Sequence, residues 1–130
     1  MEIKRIPGDF TVCKVVDFSE VDPDAKYCFM SKTDEENSLV CRTEDVPENV
    51  TAREDGWRAF RVEGVLDFSL IGILARIATL LAEEKISIFA VSTFNTDYIF
   101  VKKENEERAL SCLCRAGFEN HDFMSDYCHS

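Results

Sequence analysis

The chain is poor in residues that interrupt packed structure, with five glycines and three prolines among 130 residues. That excludes a collagen-like or low-complexity protein. Tryptophan occurs once, and the two histidines, His121 and His129, both lie near the C-terminal end. Nucleophilic catalysis therefore has thin support. The GxSxG, P-loop and GxGxxG patterns are all missing. No catalytic residue is assigned, and no enzyme is expected. No apolar run reaches the roughly 18 residues of a membrane span. The opening MEIKRIPGDF lacks the apolar core of a secretory leader, so a cytoplasmic protein without membrane contact is expected. Bases are outnumbered 15 to 25 by acids, a net charge of -10. A field of that sign repels nucleic acid and anionic membranes, so neither is expected as a partner. The excess is concentrated early, with 14 acids and 7 bases in residues 1–57 against 11 and 8 in residues 58–130.

Apolar residues are plentiful at 45%, and they include ten phenylalanines. That supports one ordinary domain or two very small ones. The six cysteines are Cys13, Cys28, Cys41, Cys112, Cys114 and Cys128. They form no CxxC, and nothing suggests secretion, so reduced cysteines acting as small hydrophobes are expected. His121, Cys128 and His129 make a loose cluster without a recognised zinc spacing. No metal and no cofactor is expected.

Hydrophobic periodicity divides the chain. DFTVCKVV (9–16), KYCFMSKT (26–33) and SLVCRT (38–43) read as strands, the last two joined as a hairpin across DEEN. EDVPEN (44–49) reads as a loop. WRAFRVEGVL (57–66) is strand-like, with Trp57, Phe60 and Val62 as core anchors. Leu70, Ile73, Leu74, Ile77, Leu80 and Leu81 then recur at helical spacing, predicting an amphipathic helix from about Ser69 to Glu84. SIFAVST (87–93) and YIFVKK (98–103) are strands around a tight turn. ENEERALSCLCRAGF (104–118) is a second helix, with acids in its first turn and Gly117 as its C-cap. Phe118 to Phe123 reads as a short closing strand. The second part, 57–130, is therefore βαββαβ, a ferredoxin-like order within an α+β class. The first part, 1–56, has strands but no convincing helix. The two parts share a faint echo, each offering a hairpin whose second strand is SLVC or YIFV.

Two stretches carry candidate chemistry. In LDFSLIG, a strand ends and a helix begins with Asp67, Ser69 and Gly72 together. Free N–H groups at a helix start attract a carboxylate, and Asp67 could hold an ammonium group beside it. An amino acid carries both groups on one carbon. The alternative is structural, with Asp67 or Ser69 capping the helix and Gly72 permitting close helix-to-strand packing. The turn of STFNTDYIFV offers a polar lip of Thr93, Asn95, Thr96 and Asp97. Ordinary turn chemistry also accounts for it. An acidic hairpin tip at Glu35, Glu36 and Asn37 matters only if it folds over the site, which makes Glu36, Asn37 and Ser38 a candidate lid.

The stretch VEGVLDFSLIGILARIATLLAEEKISIFAVSTFNTDYIFV (62–101) resembles an ACT domain. That family places an Asp at the end of strand one and a Gly at the start of helix one, here Asp67 and Gly72. It usually has Pro before that Gly, where Ile71 stands here. The chain is most similar to small stand-alone bacterial proteins with tandem ACT-like halves, and to the ACT modules of the eukaryotic cytosolic arginine sensor. LDFSLIGILA, ISIFAVSTFNTDYIFV and ENSLV carry that similarity, which runs from about residue 9 to 117. The resemblance implies an ACT fold with a complete second half and a degenerate first half. It implies a non-catalytic regulatory protein that binds a free amino acid. The ligand's charged head would dock on Asp67, Phe68, Ser69, Leu70, Ile71, Gly72 and Ile73. Its side chain or amine would face Thr93, Phe94, Asn95, Thr96 and Asp97. A homodimer and a separate downstream protein partner are also expected. The competing expectation is a ligand-free interaction module that pairs through its sheets.

Overall fold

The computed structural model describes residues 1–63 and 72–120. The elements run β1 (Glu2–Val15), β2 (Cys28–Lys32), β3 (Asn37–Arg42), β4 (Val50–Glu63), α1 (Ile73–Glu83), β5 (Ile88–Ser92), β6 (Asp97–Lys102) and α2 (Glu106–Arg115). The strands hydrogen-bond in the order β2-β3-β1-β4-β6-β5. Two compact units result: Gly8–Trp57, and Met1–Pro7 together with the chain from Arg58 onward. This is the α+β, ferredoxin-like arrangement expected of an ACT fold.

In the first unit, β2 and β3 form an antiparallel hairpin with Cys28 opposite Cys41 and Lys32 opposite Asn37. The next neighbour is β1, where Cys13 pairs with Leu39 and Phe10 with Arg42. No helix longer than a single 3-10 turn (Thr43–Asp45) occurs in this unit. Connecting segments cover the sheet instead. Phe18, Val21 and Val46 pack on Cys13, Val15, Leu39 and Cys41. That burial takes the place of the missing helices.

The second unit has the helices. Ile77 and Leu81 of α1 and Leu110 and Leu113 of α2 are buried against Phe60, Val62, Ile99 and Val101 of the sheet. Each such side chain stabilises by about 1.5–3 kcal/mol when taken from water. Trp57, Phe60 and Val62 are buried as the sequence predicts. Both helices end alike. Ile86 N–H reaches Leu81 C=O at 2.9 Å, and Phe118 N–H reaches Leu113 C=O at 3.0 Å. Each pattern needs a left-handed residue just before the bonded one. Gly117 supplies it for α2 and Lys85, at φ 59°, for α1. Ala116 rather than Gly117 is the C-cap of α2.

Three differences from the sequence reading have local causes. β1 starts at Glu2 rather than Asp9, since Ile3 and Ile6 are buried although Pro7 and Gly8 interrupt the pattern. β4 starts at Val50, through the polar stretch TARED. The fourth place in the second unit is held by Glu2–Pro7, next to β4 in the strand order. The expected closing strand at 118–123 contributes a parallel bridge between Glu119 and Glu2, and its last three residues lie outside the described ones.

Candidate functional site

The junction between β4 and α1 begins at Glu63 and ends at Gly72. Asp67, Phe68, Ser69, Leu70 and Ile71 lie outside the described residues, as does Leu70's expected place on the helix. Gly72 is described, and it corrects the expectation. It is not inside the first turn but is the N-cap, with α1 starting at Ile73. Its φ of 88° is left-handed, a conformation that costs residues with a Cβ. A Cβ built there would meet nothing within 4 Å among the described residues. Among the described residues no side-chain hydrogen bond caps the helix, and its first internal bond runs from Arg76 N–H to Gly72 C=O at 2.8 Å. The first N–H groups of a helix have no partner within it, and its dipole favours an anion there.

The turn between β5 and β6 has a fixed form. Thr93 N–H donates to Thr96 C=O at 2.8 Å, and Thr96 N–H donates to the Thr93 hydroxyl at 3.3 Å. The Thr96 hydroxyl donates to Val62 C=O at 2.6 Å and is buried. This bond ties the turn to the end of β4, the strand that leads into the junction. Asp97 accepts the Ser92 hydroxyl at 2.6 Å. Asn95 is exposed, and Phe94 is fully so at 104%. Sequence reasoning missed Arg61, whose Nε donates to Glu63 at 2.9 Å and whose Nη1 donates to the Tyr98 hydroxyl at 3.1 Å. Glu63, first, and Tyr98 raise the Arg61 pKa. Charged residues at alternate positions of a strand were the available signal.

The first unit contains a described version of the same junction. Asp17-Phe18-Ser19 repeats the Asp67-Phe68-Ser69 triplet, which an identity search along the whole chain would have found. The Asp17 carboxylate accepts the Ser19 hydroxyl at 2.5 Å and the Ser19 N–H at 3.0 Å. These bonds, the hydroxyl first, hold its carboxyl below the usual carboxylate range. Asn49 donates to Asp17 C=O at 3.1 Å, and Asn37 to Val16 C=O at 2.9 Å. Of the candidate lid residues, Asn37 fastens this junction, Ser38 pairs with Ser31 and Lys14, and Glu36 is exposed at the hairpin tip.

Cys13, Cys28, Cys41 and Cys112 are free thiols, and burial raises all four; Cys41 reaches about 12. None is an activated nucleophile. Cys114 departs from the expectation of reduced cysteines, being disulfide-bonded. Among the described residues, no group of three or more His, Cys, Asp or Glu could hold a metal ion. His121, Cys128 and His129 lie beyond them. No described helix is long and apolar enough to cross a membrane.

With this geometry in place, comparison with known proteins is informative. Residues 52–115 match the model of the ACT domain. A crystallised protein of Agobacterium tumefaciens superposes with a TM-score of 0.79 at 28% identity, covering 92% of this chain and 90% of that one. A Vibrio cholerae protein described as of unknown function and a possible transport protein gives 0.65 at 26% identity, covering 86% of each chain. The ligand-free regulatory subunit of aspartate kinase from Thermus thermophilus gives 0.62 at 11% identity, covering 90% of this chain and 98% of that one. The last likeness is one of fold alone. Comparison with curated proteins found no match.

Proposed function

This chain carries an ACT domain at residues 52–115, and from that premise we propose that it is a regulatory protein that binds a free amino acid without catalysing a reaction. The head of the ligand docks on Asp67, Phe68, Ser69, Leu70, Ile71, Gly72 and Ile73. Thr93, Phe94, Asn95, Thr96 and Asp97 face its other end. The observation that carries this reading is the Thr96–Val62 hydrogen bond, because it holds the turn at the strand end from which the junction starts. Two further features support it. Among the described residues, nothing lies within 4 Å of where a Cβ of residue 72 would stand, and no side chain caps the helix start. The second is a substitution between the hairpins: Asp97 stands where Asn37 stands in the first. Asn37 seals its junction by donating to a carbonyl. An aspartate can only accept there; the Ser92 hydroxyl supplies one donor, and the remaining acceptor capacity suits a ligand ammonium or guanidinium.

Output passes to a separate protein. Binding shifts an assembly or conformational equilibrium as far as affinity differs between its states. A homodimer is the assembly we favour. A second reading, a ligand-free interaction module, is favoured by the fully exposed Phe94 at the hairpin tip.

A thermal-shift series on refolded protein against the twenty amino acids decides between them. A ligand at a hundred times its Kd stabilises by about 2.7 kcal/mol. For a chain of this size that is a rise of several degrees. The rise should vanish in Asp97→Asn and Gly72→Val variants that still fold. No rise at millimolar concentrations for any amino acid would leave the interaction module.

A further inference from the structure

The first unit contains a thiol arrangement that ligand binding does not use. Cys28 on β2 lies directly opposite Cys41 on β3. Thr33 N–H bonds Glu36 C=O at 2.9 Å across the hairpin turn, which makes 33/36 a hydrogen-bonded pair. Hydrogen-bonded and non-hydrogen-bonded pairs alternate along an antiparallel ladder. Counting back along the register, 31/38 and 29/40 are hydrogen-bonded, and 28/41 falls at a non-hydrogen-bonded position. Facing Cα atoms approach to about 4.5 Å at such a position. A disulfide spans Cα separations of about 4.4–6.8 Å. Both side chains pack in one cluster with Cys13, Leu39 and Val15. The corresponding pair of the second hairpin is Ile88 and Val101, so the fold itself does not call for sulfur at these places.

We propose that Cys28 and Cys41 form an oxidation-sensitive pair that closes into a cross-strand disulfide and latches the first hairpin. The oxidant is a small-molecule disulfide. Cys28 is half-buried and Cys41 buried, so the entering disulfide reaches Cys28 first. The Cys28 thiolate attacks one of its sulfurs, forming a mixed disulfide and expelling one thiolate. The Cys41 thiolate then attacks the Cys28 sulfur and expels the second. Two protein thiols are oxidised, one external disulfide becomes two thiols, and no other reactant is needed. Burial pushes Cys41 up to about 12 and raises Cys28. Both therefore rest as thiols near neutral pH, and closure accelerates as the pH rises.

The test is peptide mapping of reduced protein after exposure to oxidised glutathione, digested with trypsin without reductant. Cys13, Cys28 and Cys41 fall in separate tryptic peptides, 6–14, 27–32 and 33–42. The expected product joins 27–32 to 33–42, forms faster at higher pH and disappears with dithiothreitol. It should persist in Cys13→Ser and be lost in Cys28→Ser. The closed protein should also unfold at higher urea concentration than the reduced one. A glutathione adduct that stays on Cys28 without the cross-link would overturn the proposal. So would a Cys13–Cys41 product, or no reaction. The outcome is independent of whether any amino acid binds.

Discussion

The hairpins at 28–42 and 88–102 have equal strand lengths, a four-residue turn and one burial pattern, with the three middle residues of each second strand buried. Each turn is closed by its threonine, at 33 or 93, through the same two kinds of bond. They differ where the turn meets its surroundings. Glu36 is exposed, whereas Thr96 is buried and bonded to β4. Asn37 donates to Val16 C=O, whereas Asp97 accepts from Ser92. One scaffold thus carries a junction sealed by the protein's own side chains and another furnished with an acceptor. The polar groups at a turn thus differ between the two hairpins while their buried positions stay alike.

The comparison can be broken at its foundation first. Leu39 and Ile99 occupy the same hairpin position and are almost wholly buried. Leu39→Ala and Ile99→Ala should each cost about 2–5 kcal/mol in urea unfolding. If one cost less than about 1 kcal/mol, the two cores would not be equivalent. The turns should then separate. Thr96→Val leaves a buried carbonyl without its donor and should cost about 1–3 kcal/mol, while Glu36→Val should change stability by less than about 0.5 kcal/mol. Similar values for both would remove the structural contrast.

A smaller effect is expected from Asn37→Asp, which replaces a donor by an acceptor at Val16 C=O and should destabilise by about 1 kcal/mol. Asp97→Asn should leave stability nearly unchanged and act on ligand response instead. The smallest effect is in pH dependence. Ser19 lowers the Asp17 pKa in the folded protein, so ionised Asp17 favours folding. That contribution is complete above the unfolded carboxylate's pKa and is lost as pH falls through the lowered one. Urea midpoints measured from neutral to acid pH should therefore fall less steeply in Asp17→Asn.

Much of this fold is legible in the sequence. Alternation around STFNTD and KTDEEN located both hairpins, and Ile73, Ile77 and Leu81 located α1, because those segments bury one face each. Elements whose neighbours come from far along the chain were not legible. β1 crosses Pro7 and Gly8, local breakers that distant strands override, and β4 crosses the polar TARED. The helix start was placed too early because Asp and Ser resemble caps, whereas the N-cap is Gly72 in a left-handed conformation. The candidate turn residues were legible by type. Their attachment through Thr96 to Val62 was not, since nothing in local sequence announces a bond between residues 34 apart.

The strand formed by Glu2–Pro7 gives the second unit a border that no single cut in the chain can follow. A fragment starting at Trp57 would contain the whole helical layer yet lack a strand of its own sheet. The two units are therefore separable in space but not by scissors, and their folding must close a long loop of chain before the second sheet is whole.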